Sequence, residues 1–148
     1  MTFCIRFLNE LDLNYELVEK ATYACISIRD FQEQFLTPLD YWNRMDYECH
    51  WRSSLSSILD SSLPTCLITA ISNPEQSNFI NWWLLYPVGV EIYLRNHILF
   101  LADLRESFDP YNPSQFIPKR EVFNEDGELI SEWSVSFDEI RSFLSLNP

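Results

Sequence analysis

Hydrophobic and polar positions change period several times along the chain. Thr2 to Leu8 alternates loosely and predicts a first strand, whereas Asn9 to Tyr15 is polar enough for a turn or a single helical turn. Ala21 to Ile28 alternates more regularly. Ala24, Ile26 and Ile28 fall on one side of a second strand, with Tyr23, Cys25 and Ser27 on the other. Asp30 with Glu33 has the spacing of a capping box and predicts a helix that Pro38 interrupts. Thr37 can cap a second helix with Pro38 at its first position, where the missing N–H is not needed. That long helix is expected to reach about Leu59, where Asp60-Ser61-Ser62 and Pro64 stop it. Its apolar stripe is expected along Trp42, Met45, Cys49, Arg52 and Leu55, thickened by Trp51, Ile58 and Leu59.

The middle of the chain reads as sheet. Cys66 to Ile71 is a strand, the Asn73-Pro74 region a turn, and Phe79 to Tyr86 an almost unbroken apolar run of the kind covered on both faces. Pro87-Val88-Gly89 turns the chain into Val90 to Leu94, and a tight turn near Asn96 is expected to return it as Ile98 to Leu101. Asp103 to Pro118 reads as an ordered surface loop anchored by Phe108, Tyr111, Phe116 and Ile117. A hairpin is expected around Asp126-Gly127, from Glu121–Asn124 and Glu128–Val135. Ser136 and Glu139 form another capping box and open a last helix with Ile140, Phe143 and Leu144 on one face. Short strands joined by short turns argue for an α+β fold, a central antiparallel meander packed against the long helix and the C-terminal one.

The 148 residues suit one domain, residues 1–148, which at that size buries about 70% of the surface its unfolded chain exposes. Charge changes the picture most. Twenty-two acids face ten bases, a net −12, and only Lys20 and Lys119 are lysines. Such a chain lacks the cations that hold nucleic acid or anionic lipid, and it is attracted to cationic surfaces instead. Four scattered cysteines, Cys4, Cys25, Cys49 and Cys66, form no C-x-x-C pair and sit beside apolar residues, which suits buried reduced thiols in a cytoplasmic protein. Neither a signal peptide nor a membrane-length apolar run is present.

No catalytic motif emerges. Cys49 adjoins His50, but helix neighbours point about 100° apart and do not face each other, so His50 reads as a surface or packed histidine and His97 as a turn residue. Glu10 with Asp12, Asp103 with Glu106, and Glu125-Asp126 with Glu128 are carboxylate pairs that chance explains in so acidic a chain; none forms a calcium loop. Two glycines exclude the glycine-rich nucleotide loops. No metal or cofactor is expected. Trp82-Trp83 places one ring on each face of its strand. Core is the favoured reading for both, and an exposed one would be an interface anchor.

Four segments carry a family resemblance: Tyr41-Trp42-Asn43-Arg44-Met45-Asp46-Tyr47-Glu48, Cys66-Leu67-Ile68-Thr69-Ala70, Phe79-Ile80-Asn81-Trp82-Trp83 and Ser131-Glu132-Trp133-Ser134-Val135-Ser136. With the order of elements, the size and the acidity, the chain resembles immunity proteins of bacterial contact-dependent growth inhibition systems. The resemblance implies a non-enzymatic protein, monomeric when free, that binds the toxic C-terminal domain of an effector protein. Such toxins are often nucleases with basic clefts that an acidic protein can cover. Candidate contacts are acids on or near exposed turns: Asp40, Asp46 and Glu48, with Asp103, Glu106 and Asp109 on the loop. Two other readings stand beside this one. The first is a small hydrolase or ligand-binding enzyme using two carboxylates in a deep pocket. The second is a nucleic-acid mimic with acids spaced along one face.

Overall fold

A computed structural model describes residues 2–8 and 21–146, so the turn expected at Asn9 to Tyr15 lies outside the described residues. The fold is α+β, with two antiparallel sheets and two helices. Strands β1 (Phe3–Phe7), β2 (Ala21–Ile28) and β3 (Phe31–Pro38) form one sheet in that order. Helix α1 (Arg44–Ser61) comes next. Strands β4 (Thr65–Ala70), β5 (Phe79–Val88), β6 (Glu91–Phe100) and β7 (Trp133–Ser136) then form the expected meander, and α2 (Phe137–Leu146) closes the described chain.

The first sheet differs from expectation in β3. Residues from Phe31 onward form no helix, because all eight pair with β2. Phe31, Glu33 and Phe35 turn inward while Gln32, Gln34 and Leu36 face solvent, a period of two that outweighs the local cap-like spacing of Asp30 and Glu33. Ile28 pairs with Phe31, which leaves Arg29 and Asp30 as the turn, Arg29 in the left-handed region at φ 55°. The inner face of this sheet meets α2 through Phe3 and Phe143, 5.4 Å apart and edge-on, and meets α1 through Phe7 and Trp51 at 5.1 Å. Phe31 stacks 4.2 Å from Trp133 and 6.0 Å from Trp83, joining the two sheets.

Helix α1 starts at Arg44 rather than Pro38. Asn43 is its cap: its side chain accepts the Asp46 N–H at 2.8 Å, and Asp46 accepts the Asn43 N–H at 2.9 Å. Thr37 is buried in β3 and donates its hydroxyl to the Thr69 carbonyl at 3.0 Å. The face that packs is also not the expected one. Tyr47, Trp51, Ser54, Leu55 and Ile58 face the core, whereas Met45, Cys49 and Arg52 of the expected stripe are exposed. Cys25 and Cys66 are buried as expected, Cys4 is half-buried, and Cys49 lies on the solvent side of α1.

Strand β4 lies at the edge of the meander, and α1 finishes that edge with side chains. The Ile68 N–H donates to His50 Nε2 at 2.8 Å, and Trp51 Nε1–H donates to the Ile68 carbonyl at 2.7 Å. The Tyr47 hydroxyl accepts the Ile71 N–H at 3.2 Å and donates to the Pro38 carbonyl at 2.8 Å. Backbone groups that would otherwise call for another strand are thereby satisfied. The bond from Ile68 makes Nε2 the acceptor, so the imidazole is neutral with its proton on Nδ1, which lies 3.4 Å from Ser54 Oγ.

Strand β6 runs unbroken through Asn96. The turn expected at Gly89 is present, φ 62°, where Val88 pairs with Glu91, and the one expected near Asn96 is absent because every residue of β6 pairs with the equally long β5. His97 is therefore a strand residue, its Nδ1 2.9 Å from Trp82 Nε1. Trp82 and Trp83 are both core, one on each face of β5. The loop after β6 contains two 3-10 turns, Leu101–Asp103 and Pro113–Phe116, and covers the Trp82 face through Phe108, which is buried against Trp82 and Phe116. Tyr111 does not tie the loop to the core; it is 87% exposed. The expected second hairpin is reduced to one bridge, Phe123 to Leu129, because Trp133–Ser136 pairs with β6 instead. Ser136 and Glu139 form the expected capping box, each bond 3.1 Å.

Burial lowers the His50 pKa from 6.5 to about 4. Below 6.5 the unfolded chain takes up a proton that the folded one does not, so this group's contribution to stability falls as pH drops from 6.5 toward 4. In urea denaturation, His50→Leu is expected to lose about 1–3 kcal/mol at neutral pH, because the Ile68 N–H loses its acceptor. The same variant should show a shallower decline in stability between those pH values than the parent; an equal decline would contradict the neutral, buried imidazole.

Candidate partner-binding surface

Among the described residues, Arg29, Arg95, Arg120 and Arg141 are paired with the chain's own carboxylates. Glu132 accepts from Arg95 at 2.5 Å and from Arg120 at 2.7 Å. Burial alone would raise the Glu132 pKa, but the two guanidiniums hold it below the usual carboxylate range. Arg29 reaches Glu139 at 2.7 Å and Glu91 at 3.5 Å, and Arg141 pairs with Asp138. Acids elsewhere on the surface are left to define its field.

Four of those acids gather around two tyrosines where α1 begins. Asp40 precedes the helix and accepts from Ser72 Oγ at 3.1 Å. Asp46 caps it and shares a groove with Trp42, His50, Tyr111 and Asn112. Burial raises the Tyr47 hydroxyl against the hydrogen bond from Ile71, and Asp40 and Asp46 push in the same direction as burial. Asp109 lies in the loop, accepting the Tyr111 N–H at 2.9 Å. Burial also raises Tyr41, and Tyr111, Glu75 and Asp109 raise it further, which places these groups together. Tyr41, Met45 and Tyr111 are exposed among the carboxylates. Aromatic side chains surrounded by acids can anchor a cationic partner and steer its approach.

The structure therefore brings together three of the six expected contacts, Asp40, Asp46 and Asp109. Glu106 borders them, lining a groove with Glu75, Arg105 and Phe108. Asp103 is exposed on the preceding 3-10 turn. Glu48 lies on another flank of α1, in a groove with Arg6, Arg44 and Arg52. Sequence reasoning missed Glu75, Tyr41 and Tyr111. Tyr111 was legible as a turn tip, since it lies between Asp109-Pro110 and Asn112-Pro113.

Among the described residues Cys49 and His50 form no nucleophile–base pair, and the Glu10–Asp12 pair lies outside the described residues. His50 Nε2 is taken by Ile68 and Nδ1 faces Ser54, so neither nitrogen is free to activate Cys49. Burial raises the Glu33 pKa, and the nearest polar partner shown is the Asn96 amide at 3.4 Å. Among the described residues no group of three or more His, Cys, Asp or Glu side chains could hold a metal ion. No helix among them is long and apolar enough to cross a membrane.

Residues 37–143 match the family described as the CdiI N-terminal domain. The chain is 35% identical over 133 residues to the immunity protein CdiI of Enterobacter cloacae subsp. cloacae, covering 89% of each sequence. It also resembles a chain of the solved CdiA-CT/CdiI toxin and immunity complex from Enterobacter cloacae, with 31% identity, 97% of both chains covered and a TM-score of 0.83.

The grouping around Tyr41 has a direct readout. Replacing both acids, Glu75→Gln with Asp109→Asn, removes two negative charges from beside its hydroxyl and should lower the pH at which Tyr41 ionises. NMR of ring-labelled tyrosine during an alkaline titration would show the shift. An unmoved Tyr41 would mean that the carboxylates are not its neighbours.

Proposed function

The chain belongs to the CdiI family of immunity proteins, and from that premise we propose that it neutralises the toxic C-terminal domain of its cognate effector by binding it one-to-one in the cytoplasm. The likeness to a chain of a toxin and immunity complex, extending over 97% of both chains, carries this reading. It acts by occupancy, without turnover. The net charge of −12 supports a finer proposal: the toxin is a nuclease, and this protein covers its basic active cleft. A cleft built to hold phosphates concentrates positive potential, which complements a surface rich in unpaired carboxylates.

We place the contact around Asp40, Asp46 and Asp109, bordered by Glu106 and Asp103, with Tyr41 and Tyr111 as anchors. Their compact grouping favours a cap over a nucleic-acid mimic, whose acids would run along a face at phosphate-like intervals. The aromatic groups supply the buried contact area, and the acids chiefly raise the association rate.

Co-expression of the toxin domain encoded beside this protein tests the reading. Growth arrest should be relieved and the two chains should co-purify; continued arrest with no co-purification rejects it. In stopped-flow binding, higher salt should slow association by about tenfold or more while changing dissociation little. Salt-independent association would reject the charge-complementary part.

A further inference from the structure

Residues Glu121 to Leu129 form a short hairpin exposed along its whole length. Phe123 and Leu129 lie directly opposite each other. The bond from the Asn124 N–H to the Glu128 carbonyl, 2.8 Å, and that from the Ile130 N–H to the Val122 carbonyl, 2.9 Å, flank them. That pattern makes them a non-hydrogen-bonded pair, the arrangement in which cross-strand side chains stand closest and on one face. Both remain open to water, Phe123 at 57% and Leu129 at 70% exposure. Single exposed apolar residues are ordinary, but a cross-strand pair on a protruding element is a small preformed contact face.

The hairpin is held in shape and at its root. At the tip, Asn124 Oδ1 accepts the Asp126 and Glu128 N–H groups, each at 2.9 Å, and Gly127 supplies the left-handed turn at φ 80°. At the base, Arg95 is almost wholly buried and donates to the Glu121 carbonyl at 2.6 Å as well as to Glu132. Arg120 completes the pair of guanidiniums on Glu132 and lies 4.7 Å over the Tyr93 ring. Two of the chain's ten bases thus root this one element. The same nine-residue element carries four exposed acids, Glu121, Glu125, Asp126 and Glu128.

We propose that this hairpin is a second docking element for the toxin domain, its Phe123–Leu129 pair seating on an apolar spot rimmed by basic side chains. The inference rests on the functional reading above and deepens it. Charge selects the occupant: an apolar pair on an element carrying four carboxylates fits a cationic rim and repels an acidic one, a second copy of this chain included. The hairpin rises near the Tyr86 and Tyr93 end of the meander, on the same face that Phe108 covers near Trp82. A partner spanning that face could engage both surfaces.

The test measures binding of the neighbouring toxin domain to the whole protein. Phe123→Ala with Leu129→Ala should weaken affinity by about 100-fold or more, mainly through faster dissociation. Glu125→Gln, Asp126→Asn and Glu128→Gln together should slow association at low salt by about tenfold. Radical footprinting of the unaltered complex should show Phe123 and Leu129 protected, a readout independent of how the variants fold. Binding of the alanine variant within about twofold of the parent, or no protection at Phe123 and Leu129, overturns the hairpin's role while leaving the functional reading intact. If the unaltered protein does not bind, that reading fails and this inference fails with it.

Discussion

The edge of β4 is where this fold is completed. Both backbone groups of Ile68 and the N–H of Ile71, just past the strand, are met by Tyr47, His50 and Trp51 of α1. Each group buried without a partner would cost about 1–3 kcal/mol, so this one contact decides a large part of a marginal stability. It also sets position. With Trp51 and Tyr47 held to β4, the start of α1 is fixed relative to the meander, and so are Asp40, Tyr41 and Asp46 beside it. A surface meant to meet a partner without rearranging benefits from such rigid support.

The electrostatics divide along the same line. Two partly buried carboxylates, Glu132 and Glu139, are paired with guanidiniums. Burial alone would raise Glu139, yet Arg29, the Ser136 N–H and Thr2 bring its pKa down to about 2. Because that value is depressed, the stability it contributes is present above the ordinary carboxylate range and fades as pH falls toward 2. Outside, the acids at the start of α1 and on the Asp126-Gly127 hairpin stand around exposed aromatic or apolar residues. Carboxylates beside exposed rings favour a cationic partner, and family membership indicates what kind of partner that is.

Features that depend on local chemistry were legible in the sequence. The Ser136–Glu139 capping box, the β2 alternation and the Asp126-Gly127 turn stand where the residues place them, and both tryptophans of β5 are core. Features decided by distant partners were not. Asp30 and Glu33 look like a helix start, yet pairing with β2 makes Phe31–Pro38 a strand. Asn96 looks like a turn, but ten residues of β5 carry β6 straight past it. In α1 two stripes at three- and four-residue steps compete, and the one through Tyr47, Trp51 and Ile58 wins because it meets β4, which leaves Cys49 outside. At the candidate surface, Asp40, Asp46 and Asp109 were legible only as acids near exposed turns. Their meeting with Glu75 and the two tyrosines required the loop to fold back on α1, which no local pattern encodes.

Native-state hydrogen exchange at the amides of Ile68 and Ile71 tests the central contact most directly. If α1 stands in for the missing strand, both amides exchange only through global unfolding, as slowly as the interior of β5. Exchange at the rate of an open sheet edge would show that the helix does not hold β4, and the placement of the acidic surface would lose its support.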